Sequence, residues 1–506
     1  MTEDKRVYLK TKKIDIETGN ELTILLNNTQ AEQEGIKEGQ KVMLAYGDIE
    51  LYVEVQQTET KVKAGEVGIY EEIWERYRIP NGSTVVIDIF NRPDSIDYIK
   101  KKLLGQRLSK DEIYAITADI AKEKIRDIET AYFMSCFFNP GFDEEEVIDI
   151  AKGMAESGDV LDFKELRPDG GMAVDKHSIG GIAGKGVTPI LVPIIASLGL
   201  TIPNTSTRAI TTPAGTSDIL EVAMPIAFTN DEVLKVVKKT GGCMIWGGAL
   251  KLAPADDVMI SVERGLHIQS YNKLVASIVA KKIAMSITHV LIDIPYGKGA
   301  KVDDAENAEL LAKKFIRIFE EVGIKCQVHR RFVKGPDGNG IGPVLEMRDI
   351  LWALERDDRR PKFLEKSALE MTGKLLEMSG KAADGKGYDM AESVLESGRA
   401  LEKFWEIAEA QGAKKVLKAD DLVPGEYSQD FKADRDGVVK FIDNKEIMRV
   451  SRALGTPFIK DAGMVLHKNV GDRVAKGDVL VSLFASGRDR LDGGIEELDL
   501  GVLFGF

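Results

Sequence analysis

The sequence predicts an α/β chain of several domains: a small β-barrel-like N-terminal domain, a helical domain, an α/β domain on a mixed sheet, and a C-terminal α+β domain. Three observations predict it. Up to about residue 90, short strand-like runs stand between Gly and Asn turns. From Pro93 the apolar period becomes helical, and from Met172 to about Val302 strand-like and helix-like runs alternate in the manner of βαβ units. After Leu422 short strands and glycine turns return. The expected domains are 1–90, 91–165 (joined by part of 255–290), 166–420 and 421–506.

The elements follow in order. Val7–Ile16, Glu21–Leu26, Lys41–Leu44, Ile49–Val55 and Thr84–Ile89 read as strands, the last preceded by the turn Pro80-Asn81-Gly82. Ser109 with Glu112 forms a capping box before the stripe Ile113, Ile116, Ile120. Asn139-Pro140-Gly141 closes the next helix, and Asp143 to Glu146 place negative charge in the first turn of another. Ala173–Asp175, Met244–Trp246 and Val290–Ile294 are strand candidates; Ile190–Leu198, Asp231–Lys239 and Leu274–Ala284 are helix candidates. Three amphipathic helices are expected over Asp304–Val322, Leu364–Met378 and Ala391–Gln411, the last ending at Gly412. Short strands follow in Gly437–Ile442 and Gly463–Leu483.

Charge and cysteine narrow the function classes. The chain has 506 residues, with 69 Lys+Arg against 82 Asp+Glu for a net charge of −13. An acidic chain lacks the basic face that counterion release requires, so a nucleic-acid polymer is not an expected partner. Cys136, Cys243 and Cys326 are far apart, with no metal-ligand spacing, so neither a metal site nor a disulfide framework is expected. Met1–Lys13 is charged rather than apolar, and Ile190–Leu200 is too short to span a bilayer, so the expectation is a cytoplasmic protein with no membrane contact.

Two loops carry the chemistry. The first, from Asp175 to Gly186, contains Lys176, His177, Ser178, Gly180, Gly181, Gly184 and Lys185 between a strand and a helix opening near Thr188-Pro189. A glycine-rich turn into a helix exposes backbone N–H groups beside a positive helix end, which suits an anion. It has neither the Walker nor the GxGxxG spacing, and a purely structural tight turn is the competing reading. The second, from Ser206 to Asp218, gathers hydroxyls, Arg208 and Gly215 ahead of a helical run. Loop hydroxyls are commonly solvated or capping, yet two donor-rich loops in one α/β unit favour one shared anion site.

These residues resemble those of the pyrimidine nucleoside phosphorylase family. The resemblance lies in Lys-His-Ser-x-Gly-Gly at 176–181, Ser206-x-Arg208, Gly215-Thr216-x-Asp218-x-Leu220-Glu221, Ala253-Pro254-Ala255-Asp256, the 276–282 segment, and Ser397-Gly398-Arg399-Ala400. It covers the chain from about residue 92 onward. The N-terminal module and the 295–302 segment are most similar to the branch of thymidine/AMP phosphorylases with an N-terminal extension.

The resemblance implies cleavage of an N-glycosidic bond by inorganic phosphate, with no other cofactor, in a homodimer or larger homo-oligomer. It implies that Lys176, Ser178, Ser206 and Thr216 bind phosphate. Gly181, Thr207, Arg208, Ala209, Ile210, Thr211 and Thr212 would line the nucleotide site, with Arg264, Ser277 and Lys281 at the base. His177 would stand between phosphate and sugar. Lys301 matches a lysine of the AMP phosphorylase nucleotide site, and a cation there suits a 5′-phosphate, making AMP the implied substrate.

One departure stands out: Gln269 occupies the position of the family's proposed proton-donating aspartate. An amide hydrogen-bonds a leaving base but is no general acid at neutral pH. Either another group such as Asp256, Asp257 or His267 supplies the proton, or the base leaves as a hydrogen-bonded anion. A thymidine or pyrimidine nucleoside phosphorylase, and a non-catalytic nucleotide-binding module, are the alternatives. The segment Lys468–Leu483 resembles a biotinyl/lipoyl-type sandwich without the Met-Lys-Met hairpin, so it is expected to carry no cofactor.

Overall fold

The structure is a computed structural model that describes residues 6–19, 22–90, 92–166, 171–209, 212–264 and 270–506. By its internal contacts the chain forms two compact units, Met1–Gly158 with Ala253–Ala280, and Asp159–Leu252 with Lys281–Phe506.

The first unit opens with six strands: β1 (Arg6–Lys13), β2 (Thr23–Asn27), β3 (Lys41–Tyr46), β4 (Ile49–Thr58), β5 (Glu66–Ile69) and β6 (Thr84–Asp88). They close into a barrel in the order β1-β5-β2-β4-β3-β6. Alternation explains the closure. Leu9, Ile24, Val42, Leu44, Val53, Val55, Val67, Val85 and Ile87 fill the interior while their neighbours face outward. The sequence reading passed over β5 and the helices Asn28–Glu34 and Glu71–Tyr77. β5 is only four residues long with a glycine inside it, too short to display a period.

The rest of this unit is helical. Ser109 caps the helix Lys110–Ala121 in a reciprocal box with Glu112, and Asp143 does the same for Glu144–Glu156 with Glu146. Glu146 also receives the buried Lys102 amine at 2.6 Å and the Leu108 N–H at 2.9 Å. A buried lysine and carboxylate thus satisfy each other while the acid ties down a loop. The helix Pro254–Arg264 and the first ten residues of Tyr271–Ala284 belong to the same unit.

In the second unit β7 (Val174–Ser178), β8 (Ile202–Ser206), β9 (Gly242–Trp246), β10 (His289–Tyr296) and β11 (Lys325–Phe332) alternate with helices. β10 lies between β7 and β11, and β8 pairs β9. The expected mixed sheet is parallel in all these described pairings, because the connections carry helices rather than hairpins. The apolar helix Val187–Ser197 is buried against Lys362–Met378 and Arg399–Ala410, whose inward faces supply Leu369, Leu375, Leu376, Phe404 and Ile407. The single helix expected over Ala391–Gln411 is two, Gly387–Glu396 and Arg399–Ala410. Gly398 at φ +81° separates them, a left-handed residue that an unbroken α-helix cannot contain.

Strands Gly340–Ile341, Gly463–Leu466, Val479–Ala485 and Tyr427–Lys432 form a four-stranded sheet. The helices Asn444–Leu454 and Arg488–Glu497 pack with it. No described helix is long and apolar enough to cross a membrane.

Candidate active site

The first loop leaves the end of β7. Its strand is fixed by Asp175, which is fully buried: one carboxylate oxygen accepts the Lys176 N–H at 2.8 Å and the Asn204 amide of β8 at 2.7 Å. The other oxygen pairs with Lys282, itself fully buried. The next strand in the sheet contributes Asp293, whose carboxylate accepts from Ser178 Oγ at 2.8 Å and from Arg331 Nε at 2.9 Å. Burial works to raise the Asp293 carboxyl, but Arg331, Lys176 and the Ser178 hydroxyl outweigh it and hold it below its ordinary range. Asp293 is therefore an anion beneath the loop.

Lys176 is buried, and that burial lowers its amine from the ordinary lysine value. His177 is pushed well below its ordinary value by burial, with Lys282, Lys281, Lys176 and Lys301 acting in the same direction. Its imidazole is neutral at physiological pH and available for hydrogen bonding.

Three glycines shape the loop: Gly180, Gly181 and Gly184 have φ of +82°, +95° and +73°. A Cβ on Gly181 would lie 2.6 Å from the Lys301 backbone nitrogen, so only glycine allows that segment to approach. Lys185 then bends back, its Nζ lying 3.4 Å from where a Gly180 Cβ would sit. Its N–H donates to Glu346 at 2.7 Å.

The second loop is organised by Asp218, which is buried and accepts N–H bonds from Ala209 at 2.8 Å and Gly215 at 2.9 Å. Ser206 Oγ meets Ser217 Oγ at 2.8 Å, and Thr216 is the first residue of the short helix Thr216–Leu220. Thr212 Oγ1 donates to the Ala214 carbonyl at 2.9 Å, which closes the turn internally. The Arg208 guanidinium donates to Asp218 at 3.2 Å and to Glu221 at 2.7 and 2.9 Å, and it covers the Trp246 ring. Bonding to Arg208, with Lys460, brings Glu221 down to about 2. Here Arg208 holds the loop to its helix. Thr207 is exposed beside it.

In the first unit, Asp256 is fully buried and accepts from Lys273 Nζ at 3.0 Å and Ser277 Oγ at 2.6 Å. With one oxygen on Lys273 and the other on Ser277, Asp256 is placed to hold Ser277. Ser277 and Lys281 share the helix Tyr271–Ala284, four residues apart. Ile210, Thr211, His267 and Gln269 lie outside the described residues, and of Arg264 only its place at the end of its helix is described.

The structure thus gathers Lys176, His177, Ser178, Gly181 and Lys301 around the first loop, and Ser206, Thr207, Arg208, Ala209, Thr212 and Thr216 around the second. Sequence reasoning passed over Asp293, Arg331, Lys282 and the return of Lys185. A lone acid inside the apolar strand run 290–294 was the available signal for Asp293.

Comparison with known proteins agrees with the family resemblance. Residues 96–158 match the helical bundle domain of the glycosyl transferase family, and residues 170–330 match its a/b domain. Residues 438–502 match the pyrimidine nucleoside phosphorylase C-terminal domain. The chain is 41% identical to an AMP phosphorylase of Pyrococcus furiosus over 96% of this chain and 95% of that protein. Identity to the AMP phosphorylase of Thermococcus kodakarensis is 40% over the same shares. The AMP phosphorylase of Methanocaldococcus jannaschii is 37% identical, covering 97% of this chain and 96% of its own length.

Proposed function

The chain belongs to the thymidine/AMP phosphorylase family, and from that premise we propose that it phosphorolyses AMP, releasing adenine and ribose 1,5-bisphosphate. The observation that carries the choice of a nucleotide is the packing of the Lys301 segment on Gly181. It brings a second lysine to the Lys176 loop, as a reaction that holds inorganic phosphate and a substrate's 5′-phosphate at once requires.

In this reading Lys176, Ser178, Ser206 and Thr216 hold inorganic phosphate. The Ser178 hydroxyl donates a hydrogen bond to Asp293, so it turns to donate to phosphate instead when phosphate arrives. A phosphate oxygen attacks C1′ of the ribose as the C1′–N bond breaks, and the bonding electron pair leaves with the base. Holding the nucleophile beside C1′ and placing cations near the developing charge supply the catalysis. Neutral His177 hydrogen-bonds between phosphate and sugar. Gly181, Lys301 and the 207–212 segment enclose the nucleotide, with Arg208 acting through Asp218 and Glu221 to shape it. Arg264, Ser277 and Lys281 address the base, and Asp256 positions Ser277. Gln269 donates an amide hydrogen bond to the leaving base, which departs as an anion and is protonated by water. The substrates are small molecules, and the working assembly is a homodimer or larger homo-oligomer in the cytoplasm.

The test is incubation of the protein with phosphate and a panel of nucleosides and nucleoside monophosphates, with detection of free base. Adenine from AMP, with Lys301→Ala losing activity on monophosphates more than on nucleosides, is the expected result. Free base only from unphosphorylated nucleosides overturns the nucleotide assignment. No base from any substrate leaves a nucleotide-binding module.

A further inference from the structure

The phosphate loop carries a second lysine whose position the mechanism above does not use. Lys185 lies nine residues after Lys176, yet its Nζ is 3.4 Å from the Cβ position of Gly180, while the Lys301 backbone nitrogen is 2.6 Å from that of Gly181. The Lys185 amine and the Lys301 segment therefore flank two consecutive glycines. The Lys185 backbone has little freedom: Glu346 accepts its N–H at 2.7 Å, and a Cβ on Gly186 would touch Ile350 and Leu364 at 2.8 Å. Gly184 abuts the Gly338 backbone closely enough that a Cβ would overlap it. The chain on both sides is clamped so that the side chain returns to the loop.

Charge follows the same pattern. Burial, then Lys301 and Lys176, bring the Lys185 amine down to about 8, so it is still mostly protonated near neutrality. Burial pushes its backbone partner Glu346 up to about 8, while the Lys185 and Gly342 N–H groups and the Lys185 charge pull the other way. Lys176, Lys185 and Lys301 thus act on one another around one loop, with Glu346 and Asp218 offsetting part of the Lys185 charge and Asp293 part of the Lys176 charge, and an anion at the loop lowers the repulsion that remains.

We propose that Lys185 contacts the 5′-phosphate of the nucleotide beside Lys301 and sets the preference for a phosphorylated substrate over the free nucleoside. The inference rests on the reading of the chain as a nucleotide phosphorylase. Lys176 serves the attacking phosphate, and the Lys185–Lys301 pair serves the phosphate that stays on the sugar. Keeping the two dianions on separate cations limits their mutual repulsion as they approach across one ribose.

Lys185→Gln and Lys185→Arg test it. A charge-assisted contact removed from a partly buried site weakens binding by about tenfold to a hundredfold. The expected result is a KM for AMP raised by that factor in K185Q, with the loss on AMP exceeding the loss on adenosine at least about tenfold. The KM for inorganic phosphate should change far less, and K185R should recover most of the AMP affinity. Calorimetry with ribose 5-phosphate gives a readout independent of turnover: binding by the wild type, and loss of binding in K185Q. Equal binding of ribose 5-phosphate by wild type and K185Q, or equal loss on AMP and adenosine, overturns the proposal. If the wild type turns over no AMP, the functional reading fails, and the ribose 5-phosphate titration still decides whether Lys185 holds a sugar phosphate.

Discussion

Asp293 accepts from the Ser178 hydroxyl and an Arg331 nitrogen, so the Lys176 loop is held by a buried anion. Lys176 stands above it, and the pair explains how a buried ammonium is tolerated before any phosphate binds. Replacing Lys176 by Met keeps most of the volume and removes the charge. The KM for phosphate should rise by about tenfold to a hundredfold, the range for losing a charge-assisted contact. Initial rates across a phosphate series at saturating nucleotide measure this, and an unchanged rate at low phosphate would refute the anion cradle. Motif residues were readable one by one, because Lys176, Ser178, Gly181, Ser206 and Thr216 lie in or at the edges of two short donor-rich sequence runs. Asp256 was legible only as an acid. Its ion pair with Lys273 and its bond to Ser277 are visible only in three-dimensional contacts.

At the scale of the element, β11 carries His329, which is buried beside the sheet and whose ring nitrogens have no described hydrogen-bond partner. Glu370 is 4.0 Å away, too far to accept from it. Burial brings this imidazole down to about 4, whereas in the unfolded chain it titrates near 6.5. Folding therefore expels a proton between these values. The stability it contributes is present above about pH 6.5 and is lost as the pH falls towards 4, with a ceiling of about 3 kcal/mol. His329→Leu removes that titration, so its Tm should decline less than that of the wild type between pH 6.5 and 4.5. Parallel declines would show that other groups set the acid limb. Periodicity disclosed the long helices and the central strands. It missed β5 for its length and merged Gly387–Glu396 with Arg399–Ala410, since both halves share an amphipathic period and only the backbone at Gly398 separates them.

Across the whole molecule, the net charge of −13 coexists with a loop region rich in Lys176, Lys185, Lys281 and Lys301. Small anions answer to the local cluster, and polyanions answer to the overall field. Fluorescence anisotropy with labelled duplex DNA or RNA at about 0.15 M salt should show no binding at micromolar protein, while phosphate binding persists. Saturable binding of the duplex would remove the electrostatic argument. The sequence by itself determined the order of barrel, helical, α/β and C-terminal segments, and the two donor-rich loops whose residues resemble those of a phosphorylase, because period, turn residues and motif residues are local properties. Tertiary structure alone decided which charges meet. Asp175 with Lys282, and Ser178 with Asp293, each join residues more than a hundred positions apart, and the return of Lys185 depends on left-handed glycines whose angles no side-chain pattern encodes.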